Sequence, residues 1–190
     1  MTVISTSRLN ISLMSLNDAD LLFELDQDPA VMKYINGGRK TSRQEIEQVF
    51  IPRLASYLNP EKCWGLWKVF NKEDNFMGWI LIRPMDFFTD KPQFKNLEIG
   101  WRFKQTAWGK GFATESAKAV IEHIVKQHPD VIRFSAIADE LNSASISIMK
   151  KLGMQYIETI LHPDVEGDVD VVLYSKYLNL TNNAGNKKAS

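Results

Sequence analysis

The chain has a single cysteine, Cys63, among 190 residues. That excludes an intrachain disulfide and a thiolate metal cluster. Histidine is almost as scarce, with three in all, and none of His123, His128 and His162 stands at metal-ligand spacing with a carboxylate, so no metal is expected. Charge of one sign is lacking too, since 23 Lys and Arg balance 23 Asp and Glu. A protein that grips a nucleic-acid backbone carries a basic excess, so a nucleic-acid partner is not expected. No apolar run approaches the roughly 20 residues that span a bilayer. The opening M-T-V-I-S-T-S-R-L-N has no basic flank leading into an apolar stretch, as a secretory leader would. The expected setting is the reducing cytoplasm, away from any membrane.

What remains is a chain with 44% hydrophobic residues, enough for one sizeable core. Arg8 to Leu13 alternates as a half-buried strand, with Leu9, Ile11 and Leu13 on one side. Ser15 and Asp18 have capping-box spacing ahead of a helix through Leu21, Leu22 and Leu25 that stops near Asp28-Pro29. A short turn through Val31, Met32 and Ile35 follows. Ser42 and Glu45 form an S-x-x-E box before Ile46, Val49, Phe50 and Leu54, with Pro52 as a kink.

Trp64 to Phe70 and Phe76 to Ile82 read as an antiparallel hairpin. Pro84 to Lys95 reads as a loop, and Leu97 to Phe103 as another strand. A long helix carries Ala117, Val120, Ile121 and Ile124 and ends before Pro129. Val131 to Ala138 is a strand. Asn142 caps a second helix, which Gly153 ends. Gln155 to Leu161 and Val169 to Tyr177 close the chain around a loop from His162 to Asp168. The expected architecture is α/β: one domain over 1–179 on a mixed, mostly antiparallel twisted sheet of about seven strands flanked by helices, with a polar tail over 180–190.

The most informative stretch is the strand, glycine turn and helix from Leu97 to Glu115. At Gly109 and Gly111 no Cβ blocks a ligand from the backbone. The helix that follows adds unpaired N–H groups and a partial positive charge, and Lys110 adds a formal cation. Together these suit a phosphate or diphosphate, although glycines in such a turn also serve packing alone. A dinucleotide fingerprint lacks its third glycine, because Thr114 occupies that place, and a nucleoside-triphosphate loop is absent.

Trp108-Gly109-Lys110-Gly111-Phe112-Ala113 resembles motif A of the GNAT acetyltransferases, Gln/Arg-x-x-Gly-x-Gly/Ala, with Trp108 in place of Gln/Arg. W-G-K-G-F-A-T-E is similar to the RimJ/RimL-type branch. So are Asn142-x-x-Ser145 followed by Lys150-Lys151-Leu152-Gly153-Met154, and the opening Thr6-Ser7-Arg8-Leu9. The resemblance extends to about Leu178.

It implies acetyl-coenzyme A as co-substrate and direct transfer to a primary amine, either a protein N-terminus or a small molecule, on a monomer or homodimer. It implies a sheet splayed beside the motif-A strand. Trp101 and Phe103 would meet the pantetheine by main chain, and the segment from Trp108 through Gly109, Lys110, Gly111 and Phe112 to Ala113 would meet the diphosphate. Asn142 would bond the pantetheine amide region, and Ser145 would lie near the thioester sulfur. Glu98, in E-I-G-W, is the candidate base or amine-orienting group, because the attacking amine must shed a proton. Met149 stands where many relatives place a tyrosine acid, which leaves Ser145 as a substitute acid for the departing thiolate, with solvent or the more distant Tyr156 as alternatives. A non-catalytic coenzyme A sensor on the same fold is the alternative.

Overall fold

Leu9 and Ile11 are fully buried and Leu13 half-buried, which places one side of β2 (Leu9–Leu13) against the core as its alternation predicts. The computed structural model describes residues 2–164 and 167–178, without the side chains of 162–169. The tail expected over 180–190 lies outside the described residues.

Among the described residues eight strands form one sheet, the additional one being the short edge strand β1 (Val3–Ser5), whose three residues are too few to register as alternation. The others are β2, β3 (Gly65–Asn71), β4 (Phe76–Met85), β5 (Gln93–Phe103), β6 (Arg133–Asp139), β7 (Gln155–Asp164) and β8 (Gly167–Tyr177). Their order is β1-β2-β3-β4-β5-β6-β8-β7. Every neighbouring pair is antiparallel except β5–β6.

One face is covered by α5 (Phe112–Gln127) and α6 (Ser143–Lys151), which bury Val120, Ile124 and Met149 against Trp67, Ile99 and Phe134. The opposite face is covered by α1 (Ala19–Leu25), α2 (Pro29–Asn36), α3 (Arg43–Glu45) and α4 (Ile51–Tyr57), around Leu25, Ile46 and Leu54.

Four local readings change. The turn after Asp28 is helix α2: Pro29 sits in its first turn, where a missing N–H costs nothing, and the Asp28 carboxylate accepts from Ala30 N–H. The Ser42–Glu45 box is fully formed, but the chain then makes a π-helical turn, Ile46–Phe50, in which Ile51 N–H reaches back to Ile46 C=O. Pro52 has no N–H to donate in the next position, and the widened turn absorbs that loss without a break. The loop predicted over 84–95 shrinks to 86–92, because β4 runs on to Met85 and β5 begins at Gln93. The final loop shortens likewise, since Pro163 pairs with Asp168 and Asp164 with Gly167.

Candidate active site

The parallel pairing of β5 with β6 covers only Asn96–Arg133, Leu97–Phe134 and Glu98–Ser135. Beyond it β5 continues to Phe103 and β6 to Asp139 with no further pairing between them, so the sheet opens there. On its other side β5 stays paired to β4, from Leu97–Pro84 to Phe103–Gly78. Lys104 N–H donates to Met77 C=O at 2.9 Å, which fixes the phase of that ladder. Antiparallel bonding alternates, so Glu98, Gly100 and Arg102 bond to β4. Trp101 and Phe103 direct their main-chain groups away from β4, into the opening. Pro84, without an N–H, falls in a non-bonded pair opposite Leu97, where it is tolerated.

The opening leads to the glycine turn. Gly109 and Gly111 have φ of 70° and 79°, the left-handed region that side-chain-bearing residues avoid. A Cβ at Gly109 would meet nothing within 4 Å. The glycine there serves the backbone and whatever approaches it, not packing. Gly111 is the residue before α5, which has no side-chain cap, so the N–H groups of Phe112, Ala113 and Thr114 lack the capping partner that most helices supply.

Arg8 bonds the turn from outside, its Nη1 donating to Lys110 C=O at 2.9 Å. Across a trans peptide the next N–H points the opposite way, so Gly111 N–H faces away from Arg8. Glu115, in the first turn of α5, accepts from Thr6 Oγ1 at 2.6 Å and from Arg8 Nε at 2.7 Å. Burial pushes its carboxyl up, but the bonds from Thr6 and Arg8 outweigh that and hold it below the usual range. The role of Thr6 and Arg8 here was not read from the sequence, where T-x-R-L carried only family likeness.

Trp108 stands apart from its neighbours. Its main-chain N–H donates to Gln105 C=O and its indole N–H to Phe103 C=O at 2.8 Å. Both donors are engaged, which leaves an exposed ring. Lys110 is exposed.

Across the opening, Asn142 caps α6 by accepting from Ser145 N–H at 3.1 Å, which keeps its amide NH2 available. Ser145 accepts a 3.2 Å hydrogen bond from the Trp101 indole N–H. Met149 is wholly buried in the core, so its place offers no acid. Lys150 and Lys151 are exposed in the last turn of α6.

On the other face lies Glu98, buried rather than an outward strand glutamate. Arg83 clasps both its oxygens, Nε to Oε2 at 2.7 Å and Nη2 to Oε1 at 3.0 Å. The Arg83 guanidinium also lies over Tyr57 and Phe88, and Tyr57, Phe87 and Phe88 pack edge to face. Burial, with a smaller contribution from the Glu98 charge, pushes the Tyr57 phenol up to about 12 against the opposing guanidinium groups, so it stays protonated. That Arg83 would pair with Glu98 was missed in the sequence, although the two are cross-strand neighbours once β4 is extended.

The face is tied to β5 and the turn after it by three further contacts. Asp26, buried, accepts from Arg102 and from Thr41 Oγ1; Glu24 accepts from Lys104; and both Asp28 oxygens accept from Gln105. Cys63 is buried, its thiol pushed up by burial, with Sγ 3.7 Å from His128 Nε2. Among the described residues no group of His, Cys, Asp and Glu is arranged to hold a metal, and no helix is long and apolar enough to cross a membrane.

A sheet opened beside one strand, with paired left-handed glycines at the following helix, is the arrangement that the resemblance to the GNAT acetyltransferases implies. Residues 8–155 match the acetyltransferase (GNAT) domain model, and the chain belongs to that family of N-acetyltransferases. It is 32% identical to the uncharacterised Bacillus subtilis protein YkkB, over 84% of this chain and 88% of that one. It is 26% identical to the FsC-acetyl coenzyme A-N(2)-transacetylase of Aspergillus fumigatus, over 83% of this chain and 66% of that protein, just under two thirds of its length. Its fold is shared with the RimL ribosomal L7/L12 alpha-N-protein acetyltransferase in complex with coenzyme A, at a TM-score of 0.71 and 16% identity, over 94% of this chain and 99% of that one.

Proposed function

We propose that the protein transfers the acetyl group of acetyl-coenzyme A directly to a primary amine, as a member of the RimJ/RimL-type branch, with a protein α-amino group or a small-molecule amine as acceptor. The observation that carries this reading is the opening beyond Glu98 and Ser135, which runs into the Gly109–Gly111 turn.

The residues fit the donor. The main chains of Trp101 and Phe103 would receive the pantetheine as an added strand, with one lone pair of the Phe103 C=O already taken by the Trp108 indole. Gly109 to Ala113 would hold the diphosphate, with N–H groups and the positive end of α5, while Trp108 contributes its ring. The Asn142 amide is available to the pantetheine amides. When bound, acetyl-coenzyme A supplies an activated acyl carbon. A cysteine acyl-enzyme is not part of the reading, because Cys63 is buried with its thiol pushed up.

Glu98 takes or steers the proton of the amine. Arg83 fixes its carboxylate and uses one lone pair on each oxygen, which leaves each a second for an amine N–H or a water. An alkyl ammonium, at about 10.4, is protonated at neutral pH and must lose that proton before it attacks. Ser145, across the opening, hydrogen-bonds the departing sulfur.

The test is thiol release from acetyl-coenzyme A with a panel of peptides, polyamines, amino acids and aminoglycosides. Turnover with at least one primary amine, and an N-acetylated product by mass spectrometry, is the expected result. Tight donor binding without turnover on any amine would overturn it.

A further inference from the structure

Trp101 borders the opening in two ways. Its main chain faces the gap, while its side chain lies on the α5–α6 face with Ile99 and Phe103. From there the indole reaches α6, where its N–H bonds Ser145 Oγ at 3.2 Å. Among the described residues this is the one hydrogen bond that spans the opening, joining the free part of β5 to the β6–α6 arm.

The direction of that bond is fixed by chemistry. An indole N–H only donates, so Ser145 must accept, and the hydroxyl's own hydrogen is turned elsewhere. The helix does not need that hydrogen, because the cap is made by the Asn142 side chain to Ser145 main-chain N–H. A hydroxyl that accepts one hydrogen bond is polarised and donates a stronger one. The Trp101 side chain therefore does more than fill space: its indole takes one lone pair of Ser145 Oγ and leaves the hydroxyl proton to be donated elsewhere.

We propose that Trp101 is a positioning residue that orients and polarises the Ser145 hydroxyl toward the sulfur of coenzyme A. This rests on the acetyl-coenzyme A reading above. The interaction is a hydrogen bond and not a proton transfer, since an alkyl hydroxyl is a far weaker acid than a thiol (about 8.5 for a cysteine side chain) and would not give up its proton to a thiolate. Its effect is to favour the thiolate over the thiol.

The proposal is tested on the full chain with free coenzyme A as the probe, so no acceptor is needed. The thiol of bound coenzyme A is titrated by the ultraviolet absorbance of its thiolate. Each variant with desulfo-coenzyme A serves as the blank, which cancels Cys63 and the tyrosines. In the unaltered protein the bound thiol should titrate about one pH unit below free coenzyme A, as a hydrogen bond to a charged group implies. Ser145→Ala should abolish the shift. Trp101→Phe, which keeps a ring but loses the N–H, should remove about 10–30% of it, and the double variant should titrate as Ser145→Ala does.

A Trp101→Phe protein that folds, binds coenzyme A and titrates like the unaltered protein overturns the proposal while leaving the acetyltransferase reading intact. No coenzyme A binding by the unaltered protein overturns both. If Trp101→Phe does not fold, ¹⁵N-indole spectra decide. One of the five tryptophan signals should move in Ser145→Ala, and the same signal should follow the titration of the bound thiol. A spectrum unmoved by Ser145→Ala sinks the idea.

Discussion

Arg8 and Glu115 stand 107 residues apart in the chain and share a 2.7 Å hydrogen bond, Nε to Oε2, while the same guanidinium holds Lys110 C=O. The turn between β1 and β2 thereby sets the orientation of the peptide between the two left-handed glycines. Arg8 also lies over the Phe112 ring, 4.7 Å from its centroid, which keeps the guanidinium flat against the turn. Arg8→Ala should weaken acetyl-coenzyme A binding about tenfold by calorimetry. It should lower stability by less than ~1 kcal/mol, since the side chain is 46% exposed and screened by solvent.

Gly109→Ala separates backbone strain from ligand approach. The left-handed conformation costs an L-residue about 1–2 kcal/mol, and the added methyl meets no protein atom within 4 Å. The variant should fold with that modest loss in urea unfolding, yet bind acetyl-coenzyme A at least tenfold more weakly. Unchanged affinity would remove the turn from the donor site.

Glu98→Gln keeps the shape of the carboxylate and one oxygen for Arg83. Turnover at pH 7 should drop at least tenfold and rise more steeply with pH than in the unaltered protein, as hydroxide and the free amine replace the lost base. Equal turnover at every pH would remove Glu98 from the chemistry. Glu98→Ala is the poorer probe, because it removes both oxygens that the largely buried Arg83 guanidinium bonds.

Asp26 and Arg102 have side chains 2% and 12% exposed. Removing one charge from such a pair leaves the other buried alone, so Asp26→Asn should cost about 3 kcal/mol in chemical denaturation. Replacing both with apolar residues of similar volume should recover much of that loss.

Acid stability should carry a signature of the capping box. The Ser42 main-chain N–H first, then Arg39, lower the Glu45 carboxyl from 4.5 to about 2. A group lowered on folding contributes stability above its unfolded value and loses it as pH falls through its folded one. Glu45→Gln should therefore be less stable than the parent at pH 7, with a flatter decline between about pH 4.5 and 2 in acid unfolding.

Much of this was legible in the sequence because it is written in local rules. The alternation of Leu9 and Ile11, the helix face through Val120 and Ile124, the Ser42 box and the Asn142 cap each depend on neighbours a few residues away. The glycine turn was legible for the same reason. Helix α2 was misread because Pro29 was taken only as a stop, although proline also opens helices. The Arg83–Glu98 pair, the Arg8 clasp and the Trp101–Ser145 bond were not visible. Each joins segments 15 to 107 residues apart, and no periodicity encodes which side chains meet across a sheet.

Asp28 accepts from Ala30 N–H at the start of α2 and from Gln105 in the short turn ahead of Trp108. One carboxylate thus serves as doorpost to both halves of the molecule. A change that moves Asp28 therefore reaches the first turn of α2 and the approach to the glycines through the same side chain, without any long-range relay.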